Sequence, residues 1–234
     1  MKLSIIIPVY NENKTILEVI KRVEKAKLPN NMKKELIIVD DYSSDGTREI
    51  LKKIKNHKIL YHNKNKGKGS AIRTGLKYSK GDIIIIQDAD LEYNPSEYYK
   101  LLNPILENKA SVIYGSRLMN ENLTLFGKNK TFLPSHLIGN IFLSYATSLL
   151  YWNKISDMET CYKVFNKKVI KKIRLRATRF DFEPEITAKL LKKGYKILEV
   201  PINFEPRSFN EGKKITVRDG LKALYYLIKY RFMD

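Results

Sequence analysis

The sequence predicts an α/β fold in which a mostly parallel sheet is flanked by helices on both faces. Short apolar runs alternate with segments of helical periodicity through the first half of the chain. Each run is apolar along its whole length, which is typical of parallel strands that are buried on both faces. The chain has 234 residues, 43% of them hydrophobic, and no Pro/Gly/Ser-rich linker. We therefore predict one domain over residues 1–234 with a substantial core.

Five strands and four helices are predicted before residue 118, and the remainder of the chain is less regular. The strands are expected at KLSIIIPVY (2–10), ELIIVDD (35–41), HKILYH (57–62), DIIIIQDAD (82–90) and ASVIYGSR (110–117). The helices are expected at TILEVIKRVEKAK (15–27), TREILKKIK (47–55), GSAIRTGLKYS (69–79) and PSEYYKLLNPILEN (95–108).

The chain is strongly basic, with 44 Lys and Arg against 25 Asp and Glu and a formal net charge of +19. Such a surface attracts anionic lipid headgroups, phosphorylated substrates or nucleic acid, although scattered lysines also simply solvate helix faces. The aromatic-flanked basic motifs of nucleic-acid readers are absent, so no nucleic-acid partner is expected. A single cysteine, Cys161, excludes an internal disulfide. The apolar N-terminal run is short and broken by Pro8, so no signal peptide is predicted and a cytoplasmic location is expected.

Two amphipathic stretches are predicted in the second half. No Asp, Glu, Lys or Arg lies between Lys130 and Lys154, but proline, glycine and hydroxyl residues interrupt this segment. We favour a helix packed on the core or at an interface, ahead of a membrane-surface helix, and a spanning helix is least favoured. The C-terminal segment VRDGLKALYYLIKYRF is basic and rich in tyrosine, which suits either a headgroup interface or docking on its own domain. Its predicted apolar face consists of Leu221, Leu224, Tyr225 and Ile228.

Polar segments follow the strands of the predicted sheet, at residues 8–12, 40–45, 88–92 and 115–117. Ligands bind outside the carboxyl ends of parallel strands, so these segments predict a site along one rim. Asp88 and Asp90 stand at alternate positions, which on an extended strand point to the same side. Two close carboxylates repel each other unless a cation lies between them, and all-oxygen ligands favour Mg²⁺ or Mn²⁺. The pattern predicts a metal–diphosphate site.

The rim segments resemble those of a known enzyme family. PVYNE, VDDYSSDGT, NKGKGSAIRTGL, DAD and GSR occur in this order and resemble inverting family 2 glycosyltransferases with the GT-A (Rossmann-like) fold, over residues 3–117. The segments SDMETCYKVF and RFDFEPEITAKLLKKGYKILEVPINFEPRSFNEGKKI are most similar to dolichyl- or polyprenyl-phosphate mannose or glucose synthases, more loosely over residues 155–217. Two residues depart from the pattern: Glu92 stands where mannose synthases often carry Gln, and Tyr42 stands where Gly is usual.

The resemblance implies a nucleotide-sugar-binding half (1–117) and an acceptor-binding and membrane-interface half (118–234). The implied donor-binding residues are Pro8, Tyr10, Glu12, Asp41, Asp88, Ala89, Asp90, Arg117, Arg207 and Lys213. The implied metal ligands are Asp88, Asp90 and Glu92, and the implied catalytic residues are Asp90, Arg117 and Asp157.

The resemblance further implies inverting transfer of a hexose from GDP-mannose, UDP-glucose or UDP-N-acetylglucosamine to polyprenyl phosphate. A lipid phosphate is already anionic, so no general base is obligatory; if one exists, Asp157 is the first candidate, with Glu183 and Glu185 as alternatives. The other expectation is a family 2 enzyme that acts on a saccharide hydroxyl. The basic charge and the amphipathic stretches predict peripheral contact with an anionic membrane surface, or a separate membrane subunit.

Overall fold

A seven-stranded sheet forms the centre of the protein in the computed structural model, which describes residues 1–119, 134–206 and 217–233. Its strands are β1 (Lys2–Val9), β2 (Lys33–Asp40), β3 (Lys58–Tyr61), β4 (Ile83–Ile86), β5 (Val112–Ser116), β6 (Lys163–Asn166) and β7 (Ile197–Pro201). The spatial order is β3-β2-β1-β4-β6-β5-β7. Only β6 runs antiparallel to its neighbours, so the predicted mostly parallel sheet is confirmed.

Helices cover the sheet, and those predicted in the first half are present. The helices are α1 (Ile16–Lys25), α2 (Thr47–Lys52), α3 (Lys68–Tyr78), α4 (Tyr98–Leu106), α5 (Pro134–Tyr151), α6 (Lys167–Ile170), α7 (Phe182–Lys192) and α8 (Val217–Phe232). Short 3₁₀ turns occupy Pro29–Asn31 and Pro95–Glu97. The apolar positions of α1 at helical spacing are the residues that it buries: Ile16, Val19, Ile20 and Val23.

The four isoleucines of β4 lie at the centre of the core. They pair in parallel with β1, from Leu3 opposite Ile83 to Ile6 opposite Ile86, and β6 covers the other edge. All four are at most 1% exposed. Burial of each such side chain stabilises the fold by about 1.5–3 kcal/mol before the entropic cost of ordering it, so β4 is a firm base for the loop that follows.

The strand β4 is shorter than predicted, since it ends at Ile86 and not at Asp90. Asp88 and Asp90 therefore lie in a turn beyond the strand, where Leu91 has a φ of +66°. The argument that both carboxylates share one side of an extended strand is wrong in this detail. The positions of the Asp88 and Asp90 carboxylates at the rim are determined by this turn.

The predicted apolar face of α8 points mostly to solvent, and a different face of the helix packs on the core. Leu221, Tyr225 and Ile228 are exposed, and the helix instead buries Ala223, Leu227 and Tyr230. The Tyr151 hydroxyl at the end of α5 donates to the carbonyl of Leu227 at 2.7 Å, which joins the two helices. Within the described ranges, no helix is long and apolar enough to cross a membrane.

Candidate active site

The loops after β1 and β2 are fastened to each other by hydrogen bonds. The Asn11 backbone N–H donates to Ser43 Oγ at 3.0 Å, and the Ser44 N–H donates to Asn11 Oδ1 at 2.9 Å. The Glu12 N–H donates to Thr47 Oγ1 at 2.9 Å. These bonds explain why the sequence carries short polar side chains here, because each one satisfies a backbone group that the neighbouring strand no longer pairs.

Asp41 organises the glycine-rich loop that follows β3. Its carboxylate accepts hydrogen bonds from the N–H groups of Lys66 (2.8 Å) and Gly67 (2.7 Å) and lies 2.7 Å from His62 Nδ1. The side chain is buried, and both carboxylate oxygens take part. The predicted donor-binding residue therefore holds the loop in place at the rim.

The glycine-rich loop also packs directly against the C-terminal half. Gly67 has a φ of +89°, and a Cβ placed there would lie 2.4 Å from the carbonyl oxygen of Thr178. The N–H of Gly69 donates to Arg179 O at 3.1 Å, and that of Ser70 donates to Thr178 O at 3.0 Å. Glycine is required at position 67 both by its backbone conformation and by this close approach.

A partly buried lysine, Lys68, connects the two halves at the rim. Lys68 Nζ lies 3.0 Å from Asp88 Oδ1 and 3.1 Å from Glu183 Oε1 in the first turn of α7. Burial by itself lowers the pKa of Lys68, but the charges of Asp88 and Glu183 outweigh it and leave the pKa well above its ordinary value. Burial also raises the pKa of the Cys161 thiol, which stays neutral and is hydrogen-bonded to Asp88.

The D-A-D turn is anchored on the opposite side by α1. Thr15 Oγ1 donates to the Ala89 carbonyl at 2.7 Å and to Glu12 Oε2 at 2.9 Å. The N–H of Glu92 donates to Asp90 Oδ1 at 3.2 Å. Thr15 thus links Ala89 to Glu12 at the carboxyl edge of the sheet, and the role of Ala89, Asp90 and Glu12 in donor binding stays a prediction.

The carboxylates of this turn fit a divalent cation by their chemistry. The side chains of Asp88 and Asp90 offer only oxygen, and Mg²⁺ needs one or two protein carboxylates and completes its shell with water and phosphate oxygens. No group of three His, Cys, Asp or Glu side chains in the described ranges converges on a single metal position. Asp88 and Asp90 therefore suit a cation shared with a substrate, whereas Glu92 as a third ligand stays a prediction.

Arg117 and Asp157 form a buried pair at the end of β5. Asp157 accepts from Arg117 Nε at 2.7 Å, from its Nη2 at 2.7 Å and from its backbone N–H at 2.9 Å. Burial alone lowers the pKa of Arg117, but the Asp157 charge overcomes it and raises that pKa, so the guanidinium keeps its charge. The ring of Phe204 lies 5.1 Å from the guanidinium carbon and faces it. Two-point pairing of this kind fixes the orientation of the arginine.

The two alternative base candidates have different surroundings. Glu185 is fully buried, accepts from the N–H groups of Arg176 and Ala177, and pairs with Lys189 at 2.9 Å. Glu183 is held by Lys68 through Oε1, while its buried Oε2 has no hydrogen-bond partner in the part of the chain that the structure describes. Glu185 has the environment of a structural carboxylate, and Glu183 faces the rim.

Three of the other predicted donor-binding residues lie at the end of β1 or directly after it. Pro8 is buried in β1, Glu12 is 8% exposed, and Tyr10 is 37% exposed. Arg207 and Lys213 lie outside the described residues.

Three residues of the site were missed in the sequence. Lys68 was hidden among the many lysines, although its place in the glycine-rich loop after a strand was a usable signal. Lys163 lies in β6 and donates to the carbonyls of Met158 and Thr160, and burial lowers its pKa. Burial raises the pKa of nearby Glu159, whose buried Oε1 has no partner in the described part of the chain. Because Lys163 interrupts the apolar pattern of β6, the sequence revealed neither this strand nor the neighbouring ionisable groups of Lys163 and Glu159.

Comparison with known proteins identifies the family. The model of "Glycosyl transferase family 2" matches residues 4–174. This chain belongs to glycosyl transferase family 2. It is 31% identical to the UDP-N-acetylglucosamine–dolichyl-phosphate N-acetylglucosaminyltransferase of Methanococcus voltae, over 96% of this chain and 94% of that protein. It is 30% identical to the dolichol-phosphate mannosyltransferase of Pyrococcus furiosus, over 98% of this chain and 64% of that longer protein.

Solved structures confirm the GT-A fold of this family 2 glycosyltransferase. Glucosyl-3-phosphoglycerate synthase from Mycobacterium tuberculosis, in complex with Mn²⁺, UDP and glucosyl-3-phosphoglycerate, superposes with a TM-score of 0.73. The match covers 100% of this chain and 81% of that one, at 16% identity. Another structure of that synthase contains Mg²⁺ and UDP. At such identity the likeness concerns the fold alone.

Proposed function

We propose that this family 2 glycosyltransferase moves a hexose from a nucleotide sugar to polyprenyl phosphate, with inversion at the anomeric carbon. GDP-mannose, UDP-glucose and UDP-N-acetylglucosamine are the donors to consider. Support comes from the two archaeal relatives, whose names specify dolichyl-phosphate acceptors and two different sugars.

The observation that carries this proposal is the engagement of Asp157 and Glu185, two of the three candidate bases. Asp157 is held at both oxygens by Arg117, and Glu185 by backbone N–H groups and Lys189. Each of these two carboxylates is already occupied by neighbouring donors, so neither is well placed to contact an acceptor hydroxyl as well. An acceptor phosphate needs no such base, because its oxygen is already negatively charged at neutral pH.

The donor would lie along the rim between the loops after β1, β2 and β4. Glu12 and Asp41 supply acceptor-only oxygens suited to base N–H groups or ribose hydroxyls, and Tyr10 offers an exposed ring. Asp88 and Asp90 would hold the divalent cation with the donor diphosphate. When bound, Mg²⁺ or Mn²⁺ supplies positive charge that stabilises the leaving nucleoside diphosphate.

The acceptor would approach from the side of the C-terminal half. A lone pair of its phosphate oxygen attacks the anomeric carbon, while the bond from that carbon to the diphosphate oxygen breaks on the opposite face. Arg117, kept charged and fixed in place by Asp157, would bind either the donor diphosphate or the acceptor phosphate. Arg207 and Lys213 are further candidates for binding these phosphates. Catalysis then depends on positioning and charge stabilisation, and no proton is transferred.

A second candidate is transfer to a saccharide hydroxyl. Glu183 favours it, because its buried Oε2 has no hydrogen-bond partner among the described residues and faces the same rim. A hydroxyl acceptor needs a base, and Glu183 is the carboxylate best placed to act as one.

The test is a donor screen with radiolabelled sugars, in the presence and absence of polyprenyl phosphate. We expect one donor to give a lipid-extractable product that depends strictly on the lipid phosphate. A labelled water-soluble glycan formed without that lipid would overturn the proposal. The variant Glu183→Gln separates the candidates further: it should keep lipid-dependent transfer within about tenfold, whereas loss of a required base costs about 10²–10⁴-fold.

For location, we propose peripheral contact with the cytoplasmic face of a membrane, where such an acceptor would present its phosphate. A separate membrane subunit is the other arrangement to consider. The net charge of +19 supports attraction to an anionic leaflet.

A further inference from the structure

The outward face of α5 carries a stripe of large apolar side chains. Their exposed fractions range from 52% at Ile141 to 83% at Trp152. They recur three or four residues apart, on the side of the helix opposite to the buried Leu143, Thr147 and Tyr151. The stripe consists of Ile138, Ile141, Phe142, Tyr145, Leu149 and Trp152.

A second stripe lies on the neighbouring helix α8. Both helices pack against α7 and against each other, and the Tyr151–Leu227 hydrogen bond fixes their contact. On both helices the exposed apolar side chains lie on a different face from the buried ones. The α8 stripe consists of Leu221, Tyr225, Ile228 and Phe232. We call the two stripes together the apolar face.

So much exposed apolar surface is unusual for a protein that works alone in water. Burial of one large apolar side chain is favourable by about 1.5–3 kcal/mol, and monomeric proteins rarely leave many such side chains exposed on neighbouring elements. The apolar face is therefore a docking surface, and its charges indicate the partner.

Basic residues predominate beside the apolar face, although the sequence of α8 also has Asp219 in its first turn. Within residues 137–152 and 220–233 the sequence has Lys222, Lys229 and Arg231 but no Asp or Glu. Lys229 Nζ lies 5.9 Å from the Tyr225 ring centre, so its ammonium is held at the edge of the stripe. Tyrosine and tryptophan beside basic residues are the side chains enriched at the level of lipid headgroups.

Charge also argues against a second copy of the chain as the partner. Two molecules that each carry +19 repel one another, and no carboxylate stands in these segments to pair with the cations of a facing copy. An anionic bilayer, in contrast, satisfies both the apolar stripes and the basic groups.

We propose that the apolar face inserts into the headgroup region of an anionic bilayer, with α5 and α8 lying on the membrane surface. This deepens the proposed function in one respect, since a lipid acceptor has to be met at a membrane. The two helices pack on α7, whose first turn bears the Glu183 that pairs with Lys68 at the rim. One helix therefore connects the bilayer contact to the candidate site.

The experiment is vesicle flotation with defined lipids and no polyprenyl phosphate. One set of vesicles is phosphatidylcholine alone, and the other contains about one third phosphatidylglycerol. We expect the wild-type protein to float with the anionic vesicles at low salt and to be released as salt rises, because exposed charges are screened. The variant Phe142→Ser/Trp152→Ser should bind at least tenfold more weakly at any salt concentration. Lys222→Gln/Lys229→Gln should weaken binding mainly at low salt.

The control is Leu17→Ser/Tyr99→Ser, which removes two large side chains that are also more than half exposed, at 56% and 52%, from the helices α1 and α4. It should float like the wild type. Thermal unfolding of all variants should coincide within a few degrees, since exposed side chains contribute little to stability. Wild-type protein that fails to float, or face variants that float as well as the control, would overturn the inference.

Two further measurements keep this inference separate from the proposed function. Transfer to a water-soluble short-chain prenyl phosphate should be the same for the face variants and the wild type. If the protein floats with vesicles but does not transfer a sugar, the proposed function is wrong and the docking surface is supported. If it transfers a sugar but does not float, the docking surface is wrong and the proposed function is supported. Concentration-dependent dimerisation that the face variants abolish, without vesicle binding, would assign the face to a second copy and refute the bilayer.

Discussion

The rim of the sheet and the apolar face differ in which kind of side chain they bury and which kind they expose. At the rim, charged groups such as Asp41, Arg117 and Asp157 are buried, whereas on α5 and α8 large apolar side chains face solvent. Charged residues are rarely buried unless they are paired, and the rim meets this condition by pairing its charges in a dense network. The apolar face has no such network. Changes at the rim should therefore alter activity or folding, whereas changes on the face should alter only docking.

The largest effect is expected for Asp90→Ala, which should reduce turnover by about 100-fold or more while the fold persists. Removing one carboxylate from an acidic turn relieves repulsion, and Asp90 is only partly buried, so the fold should tolerate the loss of its hydrogen bond with the Glu92 N–H. Steady-state turnover and the thermal unfolding midpoint should be measured together. Asp82→Ala is the control, because it removes a carboxylate from the opposite end of the same strand, where Asp82 accepts from the Lys2 N–H. Near-wild-type turnover of Asp90→Ala would refute the assignment of the cation site.

The partly buried Lys68 gives the largest expected change in folding stability. Lys68→Met leaves Asp88 and Glu183 close together without their shared cation, so we expect the free energy of unfolding to fall by about 3–5 kcal/mol. Urea denaturation measures this loss. Lys68→Met/Glu183→Gln should recover part of it, because one of the two stranded charges is then neutral. If the double variant is no more stable than the single one, the lysine does not serve as the shared counter-ion of this pair.

The glycine-rich loop should be intolerant of a single added methyl group. Gly67→Ala combines a backbone conformation at φ +89° and ψ 164° with a Cβ 2.4 Å from Thr178 O, and should cost about 3 kcal/mol. Gly194→Ala is the matched control, since φ is +75° there but nothing lies within 4 Å of the added atom. It should cost about 1–2 kcal/mol from backbone strain alone. Equal losses in urea denaturation would mean that the contact between the loop and residue 178 is not tight.

The sequence was most informative where buried apolar strands alternate with amphipathic helices. All five strands and four helices predicted before residue 118 are present, because burial on both sheet faces leaves an uninterrupted apolar pattern. Strands β6 and β7 were not predicted. The strand β6 has a buried lysine, Lys163, at its start, and this position is made tolerable by its carbonyl contacts, by the Tyr114 ring 4.2 Å away and by the nearby carboxylates of Glu183 and Glu159. Such compensation is tertiary, so no local pattern reveals it.

For the site, the rim was predictable and its internal pairing was not. The position of Asp88 and Asp90 after a buried strand was sufficient to place them at the carboxyl edge of the sheet. That Asp88 pairs with Lys68, and Asp157 with Arg117, depends on contacts between residues 20 and 40 positions apart. The same holds for α8: its periodicity identified an apolar stripe, but only packing against α5 and α7 decided which face is buried.

The smallest expected effect concerns Tyr42, which replaces the glycine usual in the resembling family. Its φ of +71° lies in the left-handed region, which costs a residue with a Cβ about 1–2 kcal/mol. Its ring is 49% exposed and lies 5.3 Å from the guanidinium carbon of Arg48. Tyr42→Gly relieves the strain but loses this contact and adds freedom to the unfolded chain, so stability should change by less than about 1 kcal/mol.

Tyr42→Ala keeps the strain and also loses the ring, so it should be about 1 kcal/mol less stable than Tyr42→Gly, the reverse of the order found inside helices. An alanine variant as stable as the glycine variant would show that the backbone is not strained at this residue. The Tyr42 ring contributes little to folding at an exposed rim position. If Tyr42→Gly changes the KM for one nucleotide sugar more than for another, the ring takes part in donor recognition. Unchanged KM values for all three donors would leave its contact with Arg48 as its only role.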